Sequence, residues 1–152
     1  MSAAFARKAS AAVGTDDVEF LRRFEACALP ERDWTHLAHI RVAWVCLRLD
    51  APKPALDRVR RGILRYNTEV LRRAHRYHDT VTVAFTRLIY ARMRDGEPWQ
   101  AFAERVDDLL DRDAPILFRH YSARLLDSAE ARRRFVPADL LPLPAFEQAP
   151  ES

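Results

Sequence analysis

Glycine and cysteine are both scarce in this chain. Three glycines in 152 residues argue against an all-β fold, because tight hairpin turns depend on them. The two cysteines, Cys27 and Cys46, are not spaced as a Cys-x-x-Cys pair, so two buried free thiols are favoured over a disulfide. The chain also lacks an uninterrupted apolar run of about 18 residues, so we expect no membrane-spanning helix and no membrane partner.

Lysine is the other rarity. Lys8 and Lys53 are the only lysines among 25 basic residues, and the rest are arginine. The arginines are dispersed among 22 acidic residues and form no basic stripe, so we expect no nucleic-acid partner. The hydrophobic fraction is 49%, which is enough for a conventional core in a chain of this length.

Residues 1–14 combine small and basic residues without a sustained apolar stretch. They predict a disordered tail and not a signal peptide, so the expected location is cytoplasmic. A second disordered tail is expected over residues 145–152. Residues 15–144 contain no internal repeat and no change of composition that would mark a boundary, so they predict one domain.

Apolar residues recur with a helical period along that domain. This predicts an all-α, single-domain bundle of about six helices with an extended C-terminal segment. The six predicted helices begin near Asp16, Thr35, Pro54, Asp79, Trp99 and Pro115. The fifth is expected to run unbroken to Leu110, and a short helix is expected from Ser128. Residues 136–144 are apolar enough to be expected against the bundle.

The second predicted helix holds the most apolar stretch of the chain, Ile40 to Leu49. A helix that is apolar on nearly every side is normally central, so Trp44 within it should be buried. His36 and His39 lie at its start, three residues apart, and are therefore predicted on one face. Buried imidazoles need partners, so this spacing indicates a site at that end of the helix.

Short connections make neighbouring helices antiparallel, so the second, fourth and sixth helices should begin at one end of the molecule. His36, His39 and His78 would then converge there and could bind a divalent metal as neutral imidazoles. Zinc, iron, manganese and nickel are not distinguished by such ligands. The alternative is that the histidines cap helices or hydrogen-bond to backbone carbonyls. His75 or His120 could also replace one of the three.

Five more polar residues are candidates around that metal. Asp79 would orient a ligand or transfer a proton, and Asp33 is the other acid near the predicted site. Tyr121 would donate a proton or bind the substrate, although a core tyrosine with a satisfied hydroxyl fits the same position. Arg124 and Ser122 are the candidate substrate-binding residues.

These features favour a metal-dependent enzyme, hydrolytic or lyase-like, that acts on a small-molecule substrate. The competing class is a ligand-binding or partner-binding helical module without turnover. In that class the histidines are structural, and the apolar tail covers a docking groove. The substrate, the metal and the formation of a homo-oligomer are left open by the sequence.

The order of several motifs is similar to that in an uncharacterised bacterial family of small all-α proteins. Its pattern is an H-x-x-H-(I/V/L)-R-x-A-W helix, a Y-H-x-T-x-T segment and a tail with Y-S, A-R, F-V and P-D. The matching segments here are His36–Trp44, Tyr77–Thr82, Tyr121-Ser122, Ala131-Arg132 and Phe135-Val136. The resemblance implies that these positions belong together, and it implies no activity.

The resemblance covers about residues 16–144, with two departures from the pattern. Asp79 stands where the family leads us to expect glutamate, and Ala138 separates Pro137 from Asp139. Both departures lie in segments that the resemblance groups with the histidines.

A weaker similarity is to the HD-domain metal phosphohydrolases. These are all-α and use a distant histidine, a His-Asp pair and a later aspartate. His39 and His78-Asp79 would match the first three, and the last would be one of Asp107, Asp108, Asp111 and Asp113. A His-Asp dipeptide is common by chance, and the glutamate expected at position 79 in relatives weighs against this assignment.

Overall fold

The computed structural model describes residues 13–113 and 115–146, and within those ranges the chain is helical without a strand. The all-α prediction is therefore confirmed. The helices are α1 Thr15–Glu25, α2 His36–Leu49, α3 Pro52–Glu69, α4 Asp79–Arg92, α5 Trp99–Arg105, α6 Asp107–Leu110, α7 Leu117–His120, α8 Ala123–Leu126 and α9 Ala129–Arg133. Of the two predicted tails, residues 1–12 and 147–152 lie outside the described residues.

The helix α2 forms the centre of the bundle and packs against α1, α3 and α4. It begins where the hydroxyl oxygen of Thr35 accepts a hydrogen bond from the N–H of Ala38 at 3.1 Å, which satisfies one free amide of the first turn. Trp44, halfway along, is 0% exposed. The predicted position of this helix and the predicted burial of Trp44 are both confirmed.

His36 and His39 at the start of α2 line one small cavity with Val81 and Thr82 at the start of α4. The first turns of α2 and α4 therefore lie at the same end of the bundle, as the alternation of direction predicted. The start of α4 is also capped by a side chain, because Nδ1 of His78 accepts the N–H of Val81 at 3.2 Å. One ring nitrogen of His78 is therefore already used in a hydrogen bond to its own helix.

The C-terminal third differs from the prediction in its helix lengths. The expected fifth helix breaks at Val106, which leaves helical geometry with φ −113° and ψ 44°, and α5 and α6 lie on either side. The expected sixth helix is replaced by the short helices α7 and α8, and α9 follows them. Ser122 and Ser128 cause the second and third starts, since each hydroxyl caps the N-terminus of the short helix that follows it. The prediction of a short helix from Ser128 is confirmed.

The segment after α9 packs on the bundle, as its composition predicted. Val136 is buried, and the rings of Phe146 and Tyr90 meet edge-on with centroids 5.8 Å apart. The hydroxyl oxygen of Thr80, at the start of α4, accepts the N–H of Val136 at 3.1 Å and donates to the carbonyl of Arg134 at 3.0 Å. The extended segment is thus bound to α4 by hydrogen bonds between its main-chain groups and the hydroxyl of Thr80, as well as by apolar contact.

Both cysteines are free thiols, and no disulfide joins them. Cys46 is buried within α2, whereas Cys27 is only partly buried. Cys27 follows α1 and has φ 59°, the left-handed conformation that often ends a helix. The prediction of two free thiols is confirmed, although one of them is accessible to solvent in part.

The close approach of α1 to α3 depends on Gly62. A Cβ atom at this position would lie 2.6 Å from Cε2 of Phe24, whose ring is buried at the contact. Gly62→Ala should therefore lower the free energy of unfolding by about 1–3 kcal/mol through overpacking. A gain in helix propensity of about 1 kcal/mol offsets part of this loss.

Urea denaturation would measure the effect, with Arg65→Ala as the control on the exposed face of the same helix. The control should change stability by less than about 0.5 kcal/mol. A Gly62→Ala protein as stable as the wild type would show that α1 and α3 do not need this close contact.

Candidate functional site

A small cavity lies between α2, α3 and α4, with a volume of about 80 Å³ and a mostly apolar wall. We call it the central cavity. Its lining residues are His36, His39, Ile40, Ala43, Val59, Ile63, Val81, Thr82, Phe85, Thr86 and Ile89. As their spacing predicted, the two histidines of α2 line the same space.

The ring of His36 is fixed by two contacts. Its Nε2 lies 2.8 Å from the carbonyl oxygen of Leu109, and the ring meets that of Phe85 edge-on with centroids 5.2 Å apart. A carbonyl oxygen can only accept, so the ring proton is on Nε2. In the neutral ring Nδ1 is then a lone-pair acceptor, with no hydrogen bond from the described residues.

His39 has the opposite tautomer for the same reason. Its Nδ1 lies 2.7 Å from the carbonyl oxygen of Thr35, so Nδ1 donates and Nε2 is the acceptor. The ring stacks on that of Trp34 with centroids 3.7 Å apart. Burial lowers the pKa of His39 to about 4, which outweighs the opposing effect of the hydrogen bond to Thr35. His39 is therefore neutral at physiological pH.

His78, the third predicted ligand, uses both of its ring nitrogens. Nδ1 caps α4, and Nε2 donates to the carbonyl of Leu126 at 2.7 Å. The ring lines a separate surface cleft and not the central cavity. The described part of the chain contains no group of three His, Cys, Asp or Glu side chains placed to hold a metal ion. The structure thus brings together two of the three predicted ligands.

Asp79 is the acceptor in a network that reaches α3. It takes two hydrogen bonds from the guanidinium of Arg60, at 2.9 and 3.0 Å, and one from the hydroxyl of Tyr77 at 2.6 Å. Burial alone would raise the pKa of Asp79, but the hydrogen bonds from Arg60 and Tyr77 lower it below its ordinary value. Burial also raises the pKa of Tyr77, with Asp79 adding to the effect. Asp79 does not line the central cavity.

The three residues predicted from the sixth helix, Tyr121, Ser122 and Arg124, do not line the central cavity. The hydroxyl of Tyr121 is buried and donates to the carbonyl of Val136 at 2.6 Å, and burial raises the pKa of Tyr121 to about 12. Ser122 caps α8 and its N–H donates to Asp139 at 2.8 Å. Arg124 is exposed and lines the same surface cleft as His78. Tyr121 and Ser122 therefore have structural partners, and Arg124 belongs to a second cavity.

The two replacement ligands also lie away from the central cavity. His75 is exposed on the short helix Ala74–Arg76 before α4. His120 is buried, and its Nδ1 donates to the carbonyl of Leu141 at 2.9 Å. Neither residue lines the space next to His36 and His39.

No protein-family model, curated protein or solved structure matches this chain. The resemblance to the uncharacterised bacterial family stays a prediction. Within residues 13–113 and 115–146, no helix is long and apolar enough to cross a membrane.

Three side chains in or near the candidate site were not predicted from the sequence as site residues. Arg60 lies on the face of α3 that the apolar pattern assigns to solvent, yet it pairs with Asp79. The signal was available, since a buried acid requires a cationic or hydrogen-bonding partner. Thr82 and Thr86 line the central cavity, and their i, i+4 spacing in α4 places them on one face.

The pKa of His39 makes stability depend on pH. The unfolded ring titrates near 6.5 and the folded ring near 4, so between these values the unfolded state binds more protons. The stabilising contribution of the neutral ring is complete above pH 6.5 and is lost as the pH falls toward 4. As the pH falls over that range, the free energy of unfolding of His39→Gln should decrease by about 1–3 kcal/mol less than that of the wild type. Urea denaturation at a series of pH values measures both.

His75→Gln is the matched control, because His75 is exposed, and it should follow the wild-type pH dependence. Carboxylates titrate in the same range, but they do so equally in all three proteins. A His39→Gln protein with the wild-type slope would contradict the assignment of a neutral, partly buried His39.

Proposed function

We propose that this protein binds a small, mainly apolar organic molecule that carries a hydrogen-bond donor, in the central cavity. The observation that carries the proposal is the pair of imidazoles, each of which donates its N–H to a backbone carbonyl, on a mostly apolar wall. Cavities that bind small molecules combine apolar lining with a few fixed polar groups. Here the fixed groups are His36 and His39.

The other two polar side chains of the wall also act as acceptors. The hydroxyl of Thr82 donates to the carbonyl of His78 at 3.0 Å, and that of Thr86 donates to the carbonyl of Thr82 at 2.7 Å. Because their protons are committed within α4, only oxygen lone pairs remain for a ligand. All four polar side chains that line the cavity therefore accept, and a ligand that donates an N–H or O–H is favoured over one that accepts.

The volume sets the size of the ligand. An apolar cavity of about 150 Å³ binds benzene, so the central cavity, at about 80 Å³, suits a smaller group. A five-membered ring or a short branched chain has the appropriate size. The remainder of a larger ligand would extend past His36 and His39, which are only partly buried.

Pyrrole and furan test the proposal as matched probes, because they share ring size and differ in the N–H donor. Titration followed by two-dimensional NMR should show pyrrole binding about 3- to 10-fold more tightly than furan, the value of one hydrogen bond. His36→Phe or His39→Phe should reduce that preference, since each removes an acceptor and keeps an aromatic ring.

His75→Phe is the control and should keep the wild-type preference. Two results would contradict the proposal: no binding of either probe to the wild type, or equal binding of pyrrole and furan. Shifts confined to residues outside α2, α3 and α4 would also place the ligand elsewhere.

The metal-dependent enzyme predicted from the sequence is the second candidate. One observation favours it: metal-binding imidazoles usually donate their other N–H to a carbonyl or carboxylate, as His36 and His39 do here. A wall made only of acceptors also suits a cation. Two imidazoles would leave positions for water and a small-molecule substrate, and the ion would supply Lewis acidity for hydrolytic or lyase chemistry.

Elemental analysis of protein purified without an affinity tag, after incubation with zinc, iron, manganese or nickel, tests this candidate. His36→Ala and His39→Ala should each lose the metal, and His75→Ala should retain it. Binding retained by His78→Ala would indicate a two-histidine site and exclude the predicted third ligand. Less than about 0.2 equivalents in the wild type with every metal would reject the candidate.

A further inference from the structure

A second cavity opens at the surface beside α8 and α9, with a volume of about 490 Å³. We call it the α8–α9 cleft. Its lining residues are His78, Phe118, Ala123, Arg124, Leu126, Asp127 and Arg132. None of these residues lines the central cavity, so the two sites are independent.

The arginines of the cleft differ from most partly buried arginines of this protein. Arg41, Arg58, Arg60 and Arg105 each contact a carboxylate at 2.6–2.9 Å. The guanidinium groups of Arg124 and Arg132 have no ion pair with any residue of the described ranges. Arg132 is partly buried, and a partly desolvated cation without an anion is unfavourable. The cleft therefore offers two cations that form no ion pair with the described residues.

The frame around these cations is held in place by hydrogen bonds. Ser122 and Ser128 cap the two short helices, and the Nε2–H of His78 is bonded to the carbonyl of Leu126. Both nitrogens of His78 are used in this way, so its ring serves as a wall and not as a ligand-binding group. A rigid frame reduces the entropy lost when a ligand binds.

Two other side chains define what fits beside the arginines. The ring of Phe118 is 50% exposed and gives the cleft an aromatic surface. Asp127 is also exposed, and its negative charge lowers the net positive charge of the cleft. A ligand with one negative charge and an apolar body satisfies both features.

We propose that the α8–α9 cleft binds a small organic anion, in which a carboxylate or phosphate is attached to an apolar group. Guanidinium groups match both anions, because their planar donors form paired hydrogen bonds with two oxygens. Arg124 and Arg132 bind the anion, and Phe118 packs against the apolar group. This site does not depend on the function proposed for the central cavity.

Calorimetric titration of the full chain tests the site with benzoate, phenyl phosphate, inorganic phosphate and uncharged benzamide. Benzoate or phenyl phosphate should bind at one site per chain, and benzamide should bind at least about 10-fold more weakly. Tighter binding of benzoate identifies a carboxylate ligand, and tighter binding of phenyl phosphate identifies a phosphate ligand. Inorganic phosphate should bind more weakly than phenyl phosphate, since it cannot contact Phe118.

Arg132→Gln should weaken binding of the tighter probe about 10-fold or more. Arg133→Gln is the matched control, since Arg133 is the exposed neighbour on α9 outside the cleft, and it should bind as the wild type does. Asp127→Asn should tighten binding, because it removes the opposing charge. If Arg132→Gln does not fold by circular dichroism, Arg124→Gln carries the same expectation on an exposed residue.

Three results would overturn the proposal. The first is the absence of saturable binding of benzoate and phenyl phosphate to the wild type. The second is equal binding by the wild type and the folded arginine variant. The third is binding of benzamide as tightly as benzoate, which would leave the arginines without a role.

Discussion

Carbonyl groups at the ends of short helices impose the constraint on which the C-terminal third depends. A helix of four residues cannot satisfy its own last carbonyls, so donors must come from elsewhere. Histidine side chains supply two of them. Imidazole N–H groups of His36 and His78 reach the carbonyls of Leu109 in α6 and Leu126 in α8, and that of His120 reaches the carbonyl of Leu141 in the extended segment. Segments 21–73 residues apart in sequence are joined in this way.

The same hydrogen bonds determine the chemistry of the central cavity. A ring that donates to a carbonyl has its tautomer fixed, and its other nitrogen is left with a lone pair. His36 and His39 thus serve the fold with one nitrogen and present an acceptor with the other. Thr82 and Thr86 of α4 do the same, because each donates its hydroxyl proton to a carbonyl within the helix and keeps its oxygen lone pairs as acceptors. Structural hydrogen bonding and the proposed ligand preference are therefore consequences of one arrangement.

The predictable parts of this structure are those with a long periodic signal. All six predicted helix starts lie within two residues of an observed start, and the common cavity of His36 and His39 follows from three-residue spacing. The four-residue helices α7 and α8 were missed because a helix of this length has no period, and contacts distant in sequence and the Ser122 cap of α8 position them. The placement of His78 was missed for a related reason: its partner, the carbonyl of Leu126, is a main-chain group that any residue type could supply.

The contacts of the extended segment have a consequence for the order of folding. Thr80 bonds to main-chain groups of Arg134 and Val136, and Tyr121 bonds to the carbonyl of Val136. The helices between these points are docked on α4 as well, because α7 and α9 contact α4 and α8 contacts α9. Amide hydrogen exchange in α7, α8 and α9 should therefore occur through one common opening, separate from the slower exchange of α2.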